Sequence, residues 1–486
     1  MENTAKQKKN IEIFEKVSVP QAVLKMAVPT VLSSIVTVFY NMVDAFFVGL
    51  THDSSKFAAV NIATPVFLFL MAAGNIYGMG GSSYLSRVLG EKNFNKVKNI
   101  SSFSFYAGIL TGIIGGALML IFMDPILNSI GTTQTTFQYT KDYLSIMALG
   151  GPFVVLSNAL TNIIRGEGEA KKAMQGMMAG TIVNIILDPI FILDELFEIP
   201  LLGLGVKGAA IATIIGNIVT VLMYVLHILS KHSILSINIK DFKARDGIFT
   251  QILMIGLPAS LTNILMSLSN ILTNKLLAGY YFTEVTSDSL LPFITNFQNG
   301  LPVFADVPTA AMGVAMKANM LAIFVQLGLG MGISPLIGYN YGSENYKRLK
   351  SILKFTIFIS VISGFIITAI YFIFSGQIIS IFSNDKAVLV LGKTILRALM
   401  TSTPVIGILF TLNFSFQAMG KGLQSLILAI SRQGFIFVPL ILLLNKLIGI
   451  SGIIYAQPVA DLFSILIAVV MFLKINKNLK LKENNL

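Results

Sequence analysis

The feature that most constrains this chain is a row of apolar runs, each long enough to cross a bilayer. A membrane-spanning helix needs about 20 predominantly apolar residues. Runs of that order recur at 26–49, 60–84, 100–123, 143–164, 174–193, 209–229, 252–272, 320–337, 355–374, 388–416, 426–444 and 453–472. Across the chain 54% of residues are apolar and only 12% are charged, where an ordinary soluble domain carries about 25% charged residues. Lipid must solvate much of that surface. The sequence therefore predicts an all-α integral membrane protein with twelve transmembrane helices. The first run is too long and too far inside the chain for a secretory leader, and no small-residue cleavage site follows it.

The charges alternate from one connection to the next. One set of connections carries Lys6, Lys8, Lys9 and Lys16, then Arg87, Lys92, Lys96 and Lys98, then Arg165, Lys171 and Lys172. It continues with Lys231, Lys240, Lys243, Arg245, Lys347, Arg348, Lys350 and Lys421, and closes with Lys474, Lys477, Lys480 and Lys482. The other set mostly carries one lysine each and holds Asp53, Asp124, Asp194, Glu195 and Glu198. Basic connections stay in the cytoplasm, so both termini are expected there, in a bacterial inner (plasma) membrane. The net charge of +12 follows from this asymmetry and calls for no nucleic acid. There is no cysteine and there are three histidines, so a metal centre or cofactor is not expected.

The two halves repeat. Pro29 and Asn41 recur as Pro258 and Asn270, offset by 229. Gly78-Met79-Gly80, Gly90, Asn93, Phe94 and Lys98 recur as Gly330-Met331-Gly332, Gly342, Asn345, Tyr346 and Lys350, offset by 252. Pro152 and Gly168 recur as Pro404 and Gly420 at the same offset, and Gly205 with Gly208 recur as Gly449 with Gly452, offset by 244. An ordered set of this kind marks duplication. An even number of helices per copy orients both copies alike, as in parallel-repeat transporters related by a pseudo-two-fold axis along the membrane normal. The expected layout is a cytoplasmic segment at 1–20, a six-helix lobe at 21–230, a cytoplasmic linker at 231–247, a second six-helix lobe at 248–474 and a cytoplasmic tail at 475–486. The change of offset places an insertion around 280–308, expected on the outer side as an external loop or as a lid over an outward cavity.

Ionisable groups inside the membrane are costly and point to function. Asp44 sits about 7 Å below the outer end of the first run at 1.5 Å per residue, and Asp188 lies at nearly the same depth on the fifth. Asn41 is one turn from Asp44, and Asn184 is one turn from Asp188. Two acids at one depth in one lobe are expected to share a chamber. There, amide and carboxylate oxygens suit either a proton or a small hard cation such as Na+ bound at Asp44, Asn184 and Asp188. In the second lobe Arg432 and Asp461 both fall near mid-depth and are expected either to meet as a buried structural ion pair or to make Asp461 a second cation site.

The segments 29–44, Gly78-Met79-Gly80-Gly81-Ser82, Arg165-Gly166-Glu167-Gly168, Asn184-Ile185-Ile186-Leu187-Asp188-Pro189, Gly330-Met331-Gly332-Ile333 and Ser431-Arg432-Gln433 resemble the multidrug and toxic compound extrusion (MATE) transporters, over nearly the whole chain. The resemblance is to the bacterial branch that exports cationic drugs. It implies a secondary active antiporter that exports cationic amphipathic compounds while H+ or Na+ flows inward, by alternating access. It also implies that Tyr40 and Thr213 join Asp44, Asn184 and Asp188 in the ion-coupling network, and that Pro29 lets the first helix bend. The 35 Phe, 21 Met and 14 Tyr suit an adaptable pocket for small organic cations. The alternative is a flippase or exporter of lipid-linked or polysaccharide substrates on the same two-lobe architecture. Such a carrier needs arginines around a pyrophosphate, where this first lobe offers acids. A membrane enzyme lacks its usual nucleophile–base set here.

Overall fold

The computed structural model describes residues 11–51, 53–196, 199–277 and 307–484. Most of the insertion around 280–308 lies outside these residues, apart from 307 and 308, which open a helix. Among the described residues ten helices are long and apolar enough to cross a membrane, and two bent helix pairs, each taken as one span, bring the number to twelve.

The first six spans are α1 (Val19–Gly49), α2 (Ser54–Gly90), α3 (Phe94–Ile121), the pair α5 (Phe137–Leu149) and α6 (Gly151–Gly166), α7 (Ala170–Ile192) and α8 (Val206–Leu229). A short α4 (Met123–Ser129) precedes α5. A two-residue ladder, Glu195–Leu196 with Ile199–Pro200, precedes α8. The later spans are α9 (Ile248–Leu277), α10 (Val307–Gly342), α11 (Tyr346–Ile373) and the pair α13 (Lys386–Met400) and α14 (Thr403–Ala418). Then come α15 (Gly422–Ile430), a π turn (Ser431–Phe435), α16 (Phe437–Ile448) and α17 (Ile450–Asn484). A short α12 (Ser375–Ser380) precedes α13. Most helices run past their apolar cores, and α17 continues unbroken through position 474.

The sequence reads the fourth and tenth spans as single helices, whereas each is bent, by 58° between α5 and α6 and by 50° between α13 and α14. The cause is local. Pro152 and Pro404 lie in the first turn of α6 and α14, where a missing N–H is harmless and a continuing helix would clash. Each bend packs against a bare glycine. A Cβ at Gly112 of α3 would strike Pro152, and one at Gly364 of α11 would lie 2.8 Å from Pro404 Cα.

The repeat also shows in the backbone. Lys92 and Glu344, 252 residues apart, both take φ of 59°. The asparagine after each accepts a backbone N–H three residues on, Asn93 from Lys96 at 3.1 Å and Asn345 from Arg348 at 3.1 Å. One turn-plus-cap design therefore closes both copies.

The chain forms two compact units. One comprises Met1–Ser260, Gly332–Ile352 and Ser415–Leu423; the other comprises Leu261–Met331, Leu353–Phe414 and Gln424–Leu486. In the second unit, α10 packs through Ala311, Ala315, Ala318 and Ala322, a buried small-residue stripe of the kind that lets helices approach closely without a hydrophobic driving force. The first unit is seamed at the end where α2 meets α3. Gly90 of α2 abuts the Tyr339 carbonyl of α10, and Gly342 of α10 abuts the Arg87 carbonyl of α2. Arg87 and Tyr339 are themselves equivalent positions of the repeat, as are Gly90 and Gly342, so each copy receives the contact that it gives. Gly80 against Ile252 and Gly332 against Ala27 extend the seam.

The connection from α8 to α9 also docks on the first unit. Glu167, fully buried, accepts hydrogen bonds from Ser233 Oγ at 2.9 Å and from the Ile234 N–H. Ser102 Oγ donates to the Asn238 carbonyl at 2.8 Å, and Tyr106 Oη donates to that of Ile237 at 2.9 Å.

Candidate functional site

The buried residues of α7 are Ala170, Ala173, Gly176, Gly180, Asn184, Asp188 and Ile192. They recur every three or four positions, so they form one face, and the remaining faces carry exposed apolar residues such as Ile182 and Ile186. The two glycines draw α8 in. A Cβ at Gly180 would strike Thr220 Oγ1 and the Gly216 carbonyl, and one at Gly176 would enter the Tyr224 ring. Close approach of α7 and α8 brings Thr213 of α8, also buried, toward the level of Asn184 and Asp188.

At that level Asn184 Nδ2 donates to Asp188 Oδ1 at 3.3 Å. Tyr40 Oη of α1 and Thr213 Oγ1 of α8 share a hydrogen bond of 3.1 Å. Thr213 is held in turn, because Asn217 Nδ2 donates to its carbonyl at 2.8 Å and Ser157 Oγ donates to Asn217 Oδ1. Asp44 lies one turn beyond Tyr40 on α1, half-buried, and its charge bears on Asp188. The structure thus brings Tyr40, Asp44, Asn184, Asp188 and Thr213 together from three helices. Asn41 lies on α1, and its side chain is outside the described residues.

Three oxygens of this cluster are shielded yet accept no hydrogen bond from the described residues: Asp44 Oδ1, Asp188 Oδ2 and Asn184 Oδ1. A buried carboxylate oxygen without a donor is expensive. A proton or a small hard cation would relieve the cost, and carboxylate and amide oxygens suit both.

Tyr143 of α5 belongs to the same neighbourhood, within electrostatic range of Tyr40, Asp44 and Asp188. Sequence reasoning missed it. It is one of 14 tyrosines, and no spacing ties it to an acid on another helix.

Pro29 lies about three turns before Tyr40 on α1, which stays continuous through it. The helix around it is rich in hydroxyls that bond back to carbonyls four residues earlier: Thr30 to Met26 at 2.8 Å, Ser33 to Pro29 at 2.9 Å and Thr37 to Ser33 at 3.1 Å. Such back-bonding, beside a proline that supplies no N–H, weakens the ladder at that point.

In the second unit Arg432 Nε meets Asp461 Oδ1 at 2.8 Å, with both side chains largely buried. Asp461 also accepts from Gln457 Nε2 at 2.9 Å and from Ser402 Oγ at 3.0 Å. Ser402 sits at the bend before α14 and Arg432 sits in the π turn, with its guanidinium 5.1 Å from the Phe410 ring centroid. This carboxylate has donors on both oxygens, unlike Asp44 and Asp188.

Twelve spans in two repeated halves, with buried acid oxygens lacking donors among the described residues in one half and a satisfied ion pair in the other, place the chain among polytopic membrane transporters. The chain belongs to the MatE family, whose profile matches residues 29–190 and again 282–443. It is 32% identical over 458 residues to the multidrug export protein MepA of Staphylococcus saprophyticus, covering 94% of each chain. It is 32% identical over 449 residues to MepA of Staphylococcus aureus, covering 92% of each. In fold it matches a structure described as the outward-facing conformation of a multidrug resistance MATE family transporter, with a TM-score of 0.85 and 24% identity, over 98% of this chain and 99% of that one. A MATE structure in the bent conformation matches with a TM-score of 0.84, again at 24% identity and with the same coverage. The family is one of transporters, not enzymes, and the chain is a multi-pass membrane protein.

Proposed function

We propose that this protein is a secondary active antiporter that exports small cationic amphipathic compounds in exchange for inward H+ or Na+, and that Asp44 and Asp188 hold the coupling ion. The observation that carries the proposal is the set of donorless oxygens on Asp44, Asp188 and Asn184. In this reading Tyr40, Thr213 and Asn41 join them in the ion-coupling network, with Tyr143 close enough to feel their charge. The relatives' names, multidrug export proteins, favour drug-like cargo over a lipid-linked sugar.

In this reading the lysine-rich end of the bundle faces the cytoplasm of a bacterial cell, both termini lie there, and the acids sit toward the outer face. An outward-open protein takes up a proton or Na+ at the acid pair. Neutralising the pair removes the charge that attracts an organic cation, so ion and drug compete and exchange follows. α1 carries both Asp44 and the weakened ladder at Pro29, so a change of charge at one end can reshape the helix at the other. The two six-helix lobes then rock to the inward-open state, where the ion leaves and a new cation enters. The Arg432–Asp461 pair keeps the second lobe's bend and π turn in register.

The test is ethidium resistance and efflux in cells carrying Asp44→Asn or Asp188→Asn. Both variants are expected to accumulate in the membrane and to lose efflux. Wild-type efflux in both would refute the assignment.

A further inference from the structure

Residues 11–18 precede the first span and have no part in the exchange chemistry, yet they are tightly held. Residues 11–15 form a helical turn. Phe14 has 0% of its surface exposed. Its ring stacks on Tyr339, centroid to centroid 4.6 Å and 11° from parallel. Its other flank reaches Gly168, where an added Cβ would come 2.9 Å from the ring. Glu15 Oε1 accepts from Tyr339 Oη at 2.7 Å and pairs with Lys92 at 3.4 Å. Arg348 closes the turn from below, donating from Nε to the Phe14 carbonyl at 2.6 Å and from Nη2 to that of Val17 at 2.6 Å. A guanidinium on the last carbonyls of a helical turn satisfies acceptors that otherwise lack a partner and complements the turn's dipole.

The partners come from both copies of the repeat. Lys92 and Gly168 belong to the first copy, following α2 and α6. Tyr339 and Arg348 belong to the second, on α10 and α11. Tyr339 is also the residue whose carbonyl abuts Gly90 in the glycine seam. That seam joins backbone to backbone at its glycines, with Ser83 and Arg87 adding bonds to Gln417 and Gln251, and residues 11–18 bind partners on both of its sides. We infer that residues 11–18 are a clasp across this seam, which must release either Gly168 and Lys92 or Tyr339 and Arg348 before the two copies can separate at this end. The clasp rests on the alternating-access reading for its purpose, but it sets a local opening equilibrium that can be measured without drug or ion flux.

The chain has no cysteine, so a single introduced thiol reports one place. Ser83 on α2 is buried in the seam and donates to the Gln417 carbonyl. Ser83→Cys therefore reacts with a maleimide only when the seam opens. Ser464 of α17, also buried, is remote in sequence from the seam, and Ser464→Cys serves as the control for general loosening. Full-length protein in permeabilised membranes is labelled over time, with the clasp intact or carrying Phe14→Ala or Arg348→Ala. Loss of one stacked ring or one charge-assisted pair should raise the open population, and so the Ser83→Cys labelling rate, about 3- to 10-fold. The Ser464→Cys rate should not change. Arg348→Lys keeps the charge but not the forked donors, and should fall between wild type and Arg348→Ala. If Phe14→Ala does not accumulate, Arg348→Ala and Arg348→Lys read the same contact from the other side. An unchanged Ser83→Cys rate in the clasp variants, or an equal rise at Ser464→Cys, would overturn the inference. Neither result would bear on whether Asp44 and Asp188 carry the coupling ion.

Discussion

Asp188 and Asp461 are both buried acids within a membrane bundle, and their surroundings separate them. Asp461 takes donors from Arg432, Gln457 and Ser402, whereas Asp188 has one long bond from Asn184 and an oxygen that no donor of the described residues reaches. The first environment is complete as it stands and the second asks for a ligand. Removing one partner of a complete buried pair strands the other, at roughly 3–5 kcal/mol. Arg432→Ala or Asp461→Asn should therefore lower the thermal midpoint in detergent. The double change Arg432→Met with Asp461→Leu should recover much of that loss, and in the recovered protein efflux should keep its dependence on the ion gradient. A double variant with full stability but no gradient dependence would move Asp461 into the coupling machinery. The pairing of Arg432 with Asp461 was legible in the sequence because charges at one depth in lipid need each other. Ser402 and Gln457 were not, since nothing in the spacing says which hydroxyl or amide a bend will aim at a carboxylate.

At the scale of elements, helix contact is decided by where side chains are missing. Gly180 of α7 lies so close to Gly216 and Thr220 of α8 that Gly180→Ala would push the helices apart. Overpacking of this kind costs about 1–3 kcal/mol. It should also cut efflux, because the same helix face carries Asn184 and Asp188. Among the described residues outside its own stretch of helix, no atom of α10's neighbours lies within 4 Å of where a Cβ on Gly313 would stand, so Gly313→Ala should be neutral or stabilise by up to about 1 kcal/mol. Thermal melts of the two variants check the contrast, and equal losses would contradict it. The helices themselves were plain in the sequence, since apolar length alone reveals them. The bends were not, although Pro152 and Pro404 stood out as a repeated pair. A proline inside a long apolar run fits a kinked helix and a new helix equally well until the neighbouring surface is known, and here that surface is Gly112 and Gly364.

For the whole molecule, duplication explains more than the count of twelve. It supplies the reciprocal contacts of Gly90 and Gly342, and the matched turns at Lys92 and Glu344. It also makes the differences between the copies informative. The first copy has Asp44 and Asp188, and the second has a satisfied ion pair, so an ion gradient should act through one half only. The repeat and the acids could be read from the sequence because offsets and depth along a helix are one-dimensional facts. The clasp by residues 11–18 and the place of Tyr143 could not, because they depend on which loops and faces meet in space. The most direct measurement is ethidium export from proteoliposomes under an imposed proton gradient and, separately, a sodium gradient. Wild type should be accelerated by at least one of them, while Asp44→Asn and Asp188→Asn, reconstituted to the same density, should respond to neither. Gradient-driven export that survives both substitutions would contradict the account.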